Sequence, residues 1–258
     1  MVWFSPSAFA DDIVTSAEIA SAINRTDAGN DSLVAEPVPS NSDADSAAVT
    51  TVNGVTVDVP KDLSDGVDLA RSGVNIAISL PNADEAKDAT KLADGTIAYP
   101  STNGAANAVV PTGDGVQMLT TIANADAATR FPYKVDVPQG GRIELSGDGA
   151  VIVDAGGAPT LSVSAPWAKD ATGKAVPSHF ETDGTTLTQV IEHTSSSVSY
   201  PVVADPWWSW IVKLVKFTVK KIGPWALVLC ATGAGWAWLR SDAQGWLRVG
   251  DSVVGCLF

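Results

Sequence analysis

The chain has 258 residues, 17% of them charged and 45% hydrophobic, and a formal charge of −13. That length allows one large domain or two smaller ones, each with a proper core. The acidity argues against nucleic acid as a partner, because phosphates would be repelled where a binder needs a basic stripe. The charge is also unevenly placed. Residues 1–206 carry ten basic and twenty-seven acidic side chains, whereas residues 207–258 carry six basic and only two acidic ones, with seven of the nine tryptophans and both cysteines.

At the N-terminus, Met-Val-Trp-Phe-Ser-Pro-Ser-Ala-Phe-Ala reads as the end of a secretory signal, residues 1–10. Ala8-Phe9-Ala10 fits the small-x-small rule for cleavage after Ala10, which predicts a secreted or cell-surface protein. No basic leader or full apolar stretch precedes it, so either the true start lies upstream or the match is chance. From Asp11 to about Asn24, Ile13, Ala17, Ala20 and Ile23 recur at helical spacing and predict a short amphipathic helix. The remainder of residues 11–48, with Pro37, Pro39 and a run of Ser, Asn and Asp, predicts a disordered linker. Within it Asn41-Ser-Asp43-Ala-Asp45 spaces oxygen ligands like a calcium loop. It lacks the sixth-position Gly and the closing Glu, so no metal site is assigned.

Residues 51–206 predict an acidic β domain. Val55-Thr-Val-Asp-Val alternates with period two, and similar runs follow to Val198–Val203, about ten short strands in all. Asp-Gly and Gly-Gly turn signals separate them at Asp94, Asp114, Gly140, Asp148 and Asp183. The pattern predicts a mainly β, turn-rich antiparallel sandwich or barrel-like body.

Phe131-Pro-Tyr-Lys-Val-Asp-Val-Pro-Gln-Gly-Gly-Arg, Ala165-Pro-Trp-Ala-Lys-Asp-Ala-Thr-Gly173, Asp183-Gly-Thr-Thr-Leu187 and Tyr200-Pro-Val-Val-Ala-Asp-Pro206 resemble elements of a group of secreted actinobacterial proteins. The likeness covers about Thr51 to Pro206, and the closing heptapeptide is its most specific part. It implies a β-rich region followed by a variable C-terminal segment that bears the function; it implies no catalytic residues.

The segment 207–258 predicts a helical, Trp-rich end. On a helical wheel Ser209, Lys213, Lys216 and Lys220 share one arc, and Ile211, Leu214, Val215 and Ile222 share the far side with Trp207. Such a helix, opened by Trp207, Trp208 and Trp210, can lie in a headgroup layer with its ammonium groups on anionic phosphates. The 18 uncharged residues Ile222 to Leu239, broken near their start by Gly223-Pro224, would extend about 27 Å as a helix, short of a stable single span. Trp225, Trp236 and Trp238 stand towards its two ends, as an aromatic belt requires. Ala231 and Gly235 offer a small face for self-association. Cys230 and Cys256, if oxidised, close a 27-residue loop worth about 3.5 kcal/mol; two buried thiols are the alternative.

No Gly-x-Ser-x-Gly, His-Glu-x-x-His or phosphate loop occurs, so the reading is a non-enzyme without cofactor. Two functions fit. One is a secreted precursor whose acidic β domain carries a cationic, bacteriocin-like membrane-active peptide, released by a cut near Asp205-Pro206. The other is a surface-anchored adhesion or envelope-binding protein whose hydrophobic C-terminus is the anchor.

Overall fold

The computed structural model describes residues 13–28 and 33–211, together with the backbone of four short strands between residues 214 and 249. The signal-like stretch, with Ala10, lies outside the described residues. Helix α1 (Ser16–Asp27) starts at Thr15, whose hydroxyl accepts from the Glu18 N–H while the Glu18 carboxylate accepts from the Thr15 N–H. This reciprocal box satisfies donors that a helix start otherwise leaves orphaned. The expected helix is present but turned about its axis. Ile19, Ala22, Ile23 and Thr26 are buried, at i, i+3, i+4 and i+7, while Ile13 and Ala17 face out.

Residues 33–45, expected to be a disordered linker, form an ordered strap. Val38 N–H donates to Pro111 O, Asn41 and Val49 exchange both main-chain bonds, and Ala35 N–H donates to the Gln117 amide oxygen. Backbone hydrogen bonds hold this segment, not burial of large side chains, and composition does not register such bonds.

Seventeen strands follow in the body. They are β1 (Ser46–Val52), β2 (Val55–Pro60), β3 (Val67–Arg71), β4 (Val74–Ser79), β5 (Thr90–Lys91), β6 (Ile97–Tyr99), β7 (Ala105–Pro111), β8 (Gly115–Ile122) and β9 (Arg130–Val135). The series continues with β10 (Arg142–Ser146), β11 (Gly149–Val153), β12 (Pro159–Val163), β13 (Trp167–Lys169), β14 (Ser178–Thr182), β15 (Thr186–Ile191), β16 (Val202–Asp205) and β17 (Trp207–Trp210). One antiparallel sheet has the order β1-β2-β3-β4-β9-β15-β14. The other runs β10-β11-β12-β17-β8-β7-β6-β5, with β16 also lying against β8 and β13 against β16.

The two sheets face each other across one core. Val57, Leu69, Ile76, Phe131, Tyr133 and Leu187 come from the first sheet; Tyr99, Met118, Ile152, Leu161 and Trp208 come from the second. The first sheet turns its other face outward, and β9 reads exposed-buried in strict alternation. The second sheet is covered on its back as well. There α1 and the strap bury Ala98, Ala106, Ala108, Val110, Leu119 and Val203, and the alanines leave room for the helix. The body is therefore a three-layer structure: open sheet, covered sheet, then helix and strap.

The turns explain much of the acidity. Asp43, Asp62, Asp94, Asp154, Asp170 and Asp183 each accept, through Oδ1, the N–H two residues on, and several accept a second. Asp154-Ala-Gly-Gly-Ala158 and Asp170-Ala-Thr-Gly-Lys174 are the same loop built twice. In each, Oδ1 takes the i+2 and i+4 N–H, and the fourth residue is a glycine at φ near 80°. The Ser64 hydroxyl together with the Ser64 N–H on Asp62, and the main-chain N–H groups on Asp43 and Asp183, stabilise the ionised form and hold these three carboxyls below their usual range. Asp43, at the calcium-like stretch, thus spends its carboxylate on its own turn.

Beyond Ile211 the backbone is described as β18 (Leu214–Phe217), β19 (Ala226–Cys230), β20 (Ala237–Ser241) and β21 (Gly245–Val249), paired antiparallel in that order. The helix expected from Trp207 is corrected at its start, which is strand β17. Most of its remainder falls outside the described residues. Among the described residues no helix is long and apolar enough to cross a membrane.

Candidate functional site: the seam between body and C-terminal segment

Where the body hands over to the C-terminal segment, the chain runs through the middle of the covered sheet. β16 pairs with β13 and the far end of β8; β17 pairs with β12 and the near end of β8. Pro206 stands between them, where a residue without an N–H breaks the ladder, and its carbonyl still accepts from Met118 N–H at 3.0 Å.

Three tryptophans follow in four residues, and a strand separates them by face. Trp208 and Trp210 point into the core, 0% and 7% exposed, while Trp207 and Ser209 point to the back of the sheet and are half-buried. Trp208 lies against Tyr133, ring centroids 5.9 Å apart and tilted by 57°. The Tyr133 hydroxyl is 3.2 Å from Thr120 Oγ1. Gly115 lets the two backbones cross: a Cβ there would fall 1.9 Å from Trp208 O. At the end of the strand Trp210 N–H donates to Asp114 O, and just past it Ile211 N–H donates to Thr160 O.

Asp205 is fully buried at the head of this crossing. Its Oδ2 accepts from Gln117 Nε2 at 2.6 Å, and the same amide nitrogen donates to Leu33 O at 2.7 Å. One glutamine therefore ties the strap to the seam. Burial pushes the Asp205 carboxyl up to about 8, against the opposing pull of the Gln117 amide and the Trp167 N–H groups.

No family model, curated protein or solved structure matches the chain. The arrangement of its own residues must carry any functional reading. Beside Trp207 a cleft of about 290 Å³ is lined by Ala35, Glu36, Asn53, Thr112 and Asp114, so the exit of the chain is rimmed by two carboxylates. Among the described residues no group of three or more His, Cys, Asp or Glu is placed to hold a metal ion.

Several expected site residues move. Trp207, Trp208 and Trp210, expected at a membrane interface, belong to the body, because alternation in β17 sends two of the indoles into the core. Asp205 and Pro206, expected as a processing site, sit inside the sheet, buried and flanked by strands, where a protease cannot reach the folded chain. Lys213, Lys220, Trp225, Trp236 and Cys256 lie outside the described residues. For Lys216, Cys230 and Trp238 the backbone alone is described, so the proposed Cys230–Cys256 bridge also falls outside.

The two histidines differ in their surroundings. His193 is fully buried, its Nε2 2.9 Å from Ala128 O and its Nδ1 3.0 Å from the Tyr200 hydroxyl, which in turn donates to His193 O. His179 is exposed, 3.7 Å from Glu181.

Proposed function

We propose that the protein works outside the cytoplasm as an acidic β scaffold carrying a cationic, tryptophan-rich C-terminal segment to an anionic membrane surface. The observation behind this reading is the division of charge at Ile211: ten basic against twenty-seven acidic side chains up to it, six against two beyond it. An anionic surface attracts the segment, at about 1 kcal/mol per Lys or Arg near the headgroups, and repels the body. The body then serves as carrier and the segment as effector, a layout that the resemblance to secreted actinobacterial proteins also implies.

Two versions of this function differ in what becomes of the junction. A bacteriocin-like precursor needs a cut, and with β17 built into the sheet that cut has to fall beyond Ile211. An anchored adhesion protein needs none, and the stitching of β17 between β8 and β12 favours it.

The test uses the full chain with vesicles of anionic or neutral phospholipid. The expected outcome is binding to anionic vesicles alone, weakened by salt and lost when Lys213, Lys216, Lys220 and Lys221 are all replaced by Gln. Dye release on binding marks the membrane-active version; binding without release marks the anchor. Equal binding to neutral vesicles would refute both.

A further inference from the structure

Gln117, in β8, spends its whole side chain on two regions that are far apart in the sequence. Its Oε1 accepts from Ala35 N–H at 2.8 Å, and its Nε2 donates both to Leu33 O and to Asp205 Oδ2. An amide nitrogen has two hydrogens, so none is left over. The group that fastens the strap is therefore the group that satisfies the buried carboxyl.

That carboxyl fits its seat in one protonation state. Asp205 Oδ1 is buried without a hydrogen-bond partner, which a neutral acid tolerates better than a carboxylate, whose charge would stand unpaired inside the protein. Burial is the largest influence on the group, opposed by the Gln117 amide and the Trp167 N–H groups; no cation is among them. Each neighbouring element agrees with this. β8 has no ionisable residue, and β13 places Trp167 opposite Asp205, with Lys169 and then Asp170 further along. β17 brings Trp207; α1 turns Glu18, Arg25 and Asp27 to solvent, and the strap does the same with Glu36. Tyr133 on the facing sheet has its hydroxyl pushed up by burial, and a charge on Asp205 adds to that.

The least secured layer at this site is the strap. Leu33 to Val38 belong to no strand. They are held by the two Gln117 bonds, by Val38 N–H on Pro111 O at 3.0 Å, and by Val34 and Ala35 packed on the apolar back of the sheet. β8, β13 and β17 are fixed in ladders.

We propose that Asp205 and Gln117 form a proton-operated latch, which holds residues 33–38 on the covered sheet while the carboxyl is protonated and lets them lift when it ionises. An ionised Asp205 competes with Leu33 O for the Gln117 hydrogens, and water reaches Oδ1 most cheaply by displacing the strap. Held in the latch the carboxyl titrates near 8, and once hydrated near about 4, so the latch is tightest below pH 4, weakens as pH climbs, and is loosest above pH 8. Opening uncovers Ala106, Ala108 and Leu119 on the back of the sheet. The latch stands independently of the membrane reading.

The experiment is hydrogen exchange of the full chain, followed by mass spectrometry of peptides covering residues 33–41, for the parent and Asp205→Asn at pH 5 and pH 8. Taking the ratio of the two proteins at each pH cancels the intrinsic pH dependence of exchange. The parent-to-variant ratio for the strap is expected to rise at least tenfold from pH 5 to pH 8, while the ratio for β9 and β15 peptides stays level. Gln117→Leu, which unfastens the strap without touching the carboxyl, should exchange there as fast as the opened parent at both pH values. A strap ratio that does not change with pH would overturn the proposal. So would a rise shared equally by β9 and β15, which would mark general destabilisation in place of a latch. Should Asp205→Asn not fold, the parent alone decides: strap exchange divided by β9 exchange must climb at least tenfold over the same interval, and a flat quotient refutes the latch.

Discussion

The two sheets of the body share one core but differ on their backs. The seven-stranded sheet turns Arg130, Pro132 and Lys134 of β9 to water. In the other sheet β7 and β8 are buried along their whole length, between the core and the helix with its strap. A strand wet on one face tolerates change there, whereas one covered twice tolerates it nowhere. The covered sheet also holds the seam through which the C-terminal segment leaves, so the chain leaves the body from the part of the molecule with least freedom.

The contrast can be pressed hardest at Gly115. A Gly115→Val chain must push β8 and β17 apart and is expected to lose about 4 kcal/mol or more in urea unfolding, or fail to fold. Trp208→Ala should cost about 3–5 kcal/mol by the same measurement, since it empties a fully buried site against Tyr133.

Asp205→Asn tests the seam in the opposite direction. A carboxyl whose folded pKa lies near 8, above its unfolded value of about 4, contributes stability that is complete below pH 4 and lost as pH rises towards 8. The amide variant has no such loss. Its melting temperature should exceed that of the parent at pH 8, with the gain shrinking as pH falls to 4. A constant difference across that range would show that the group does not titrate as its burial implies.

Thr15→Ala removes the capping box of the covering helix and should cost about 1 kcal/mol by thermal melting. Smallest of all, Arg130→Ala on the open sheet breaks an exposed pair with Glu181 that solvent screens, and it should leave the melting temperature almost unchanged. If that change proves as damaging as Trp208→Ala, the distinction between the sheets fails.

The same difference in covering decides what could be read in the chain. On the open sheet, β2, β9 and β15 alternate and are legible as strands. On the covered sheet β7 reads Ala-Ala-Asn-Ala-Val-Val-Pro, with both faces buried, and carries no period. Two hairpins did leave a usable signal: Asn53-Gly54 and Ser72-Gly73 have both residues at positive φ, which Asn-Gly announces in a sequence. So did Thr15-x-x-Glu18 for the helix start. Trp-Trp-Ser-Trp was ambiguous in principle, because Trp207 and Trp210 share a helix face while Trp208 and Trp210 share a strand face. Four residues cannot separate those periods. The latch of Gln117 with Asp205 and Leu33 joins residues 84 and 88 positions apart and has no local signature.

The position of β17 has a mechanical consequence. A tug on the chain beyond Ile211 loads this strand lengthwise between β12 and β8. Bonds to both neighbours then resist together in shear, with none exposed to peel open first. Load applied at Ile211 therefore strains the sheet before the strand slips.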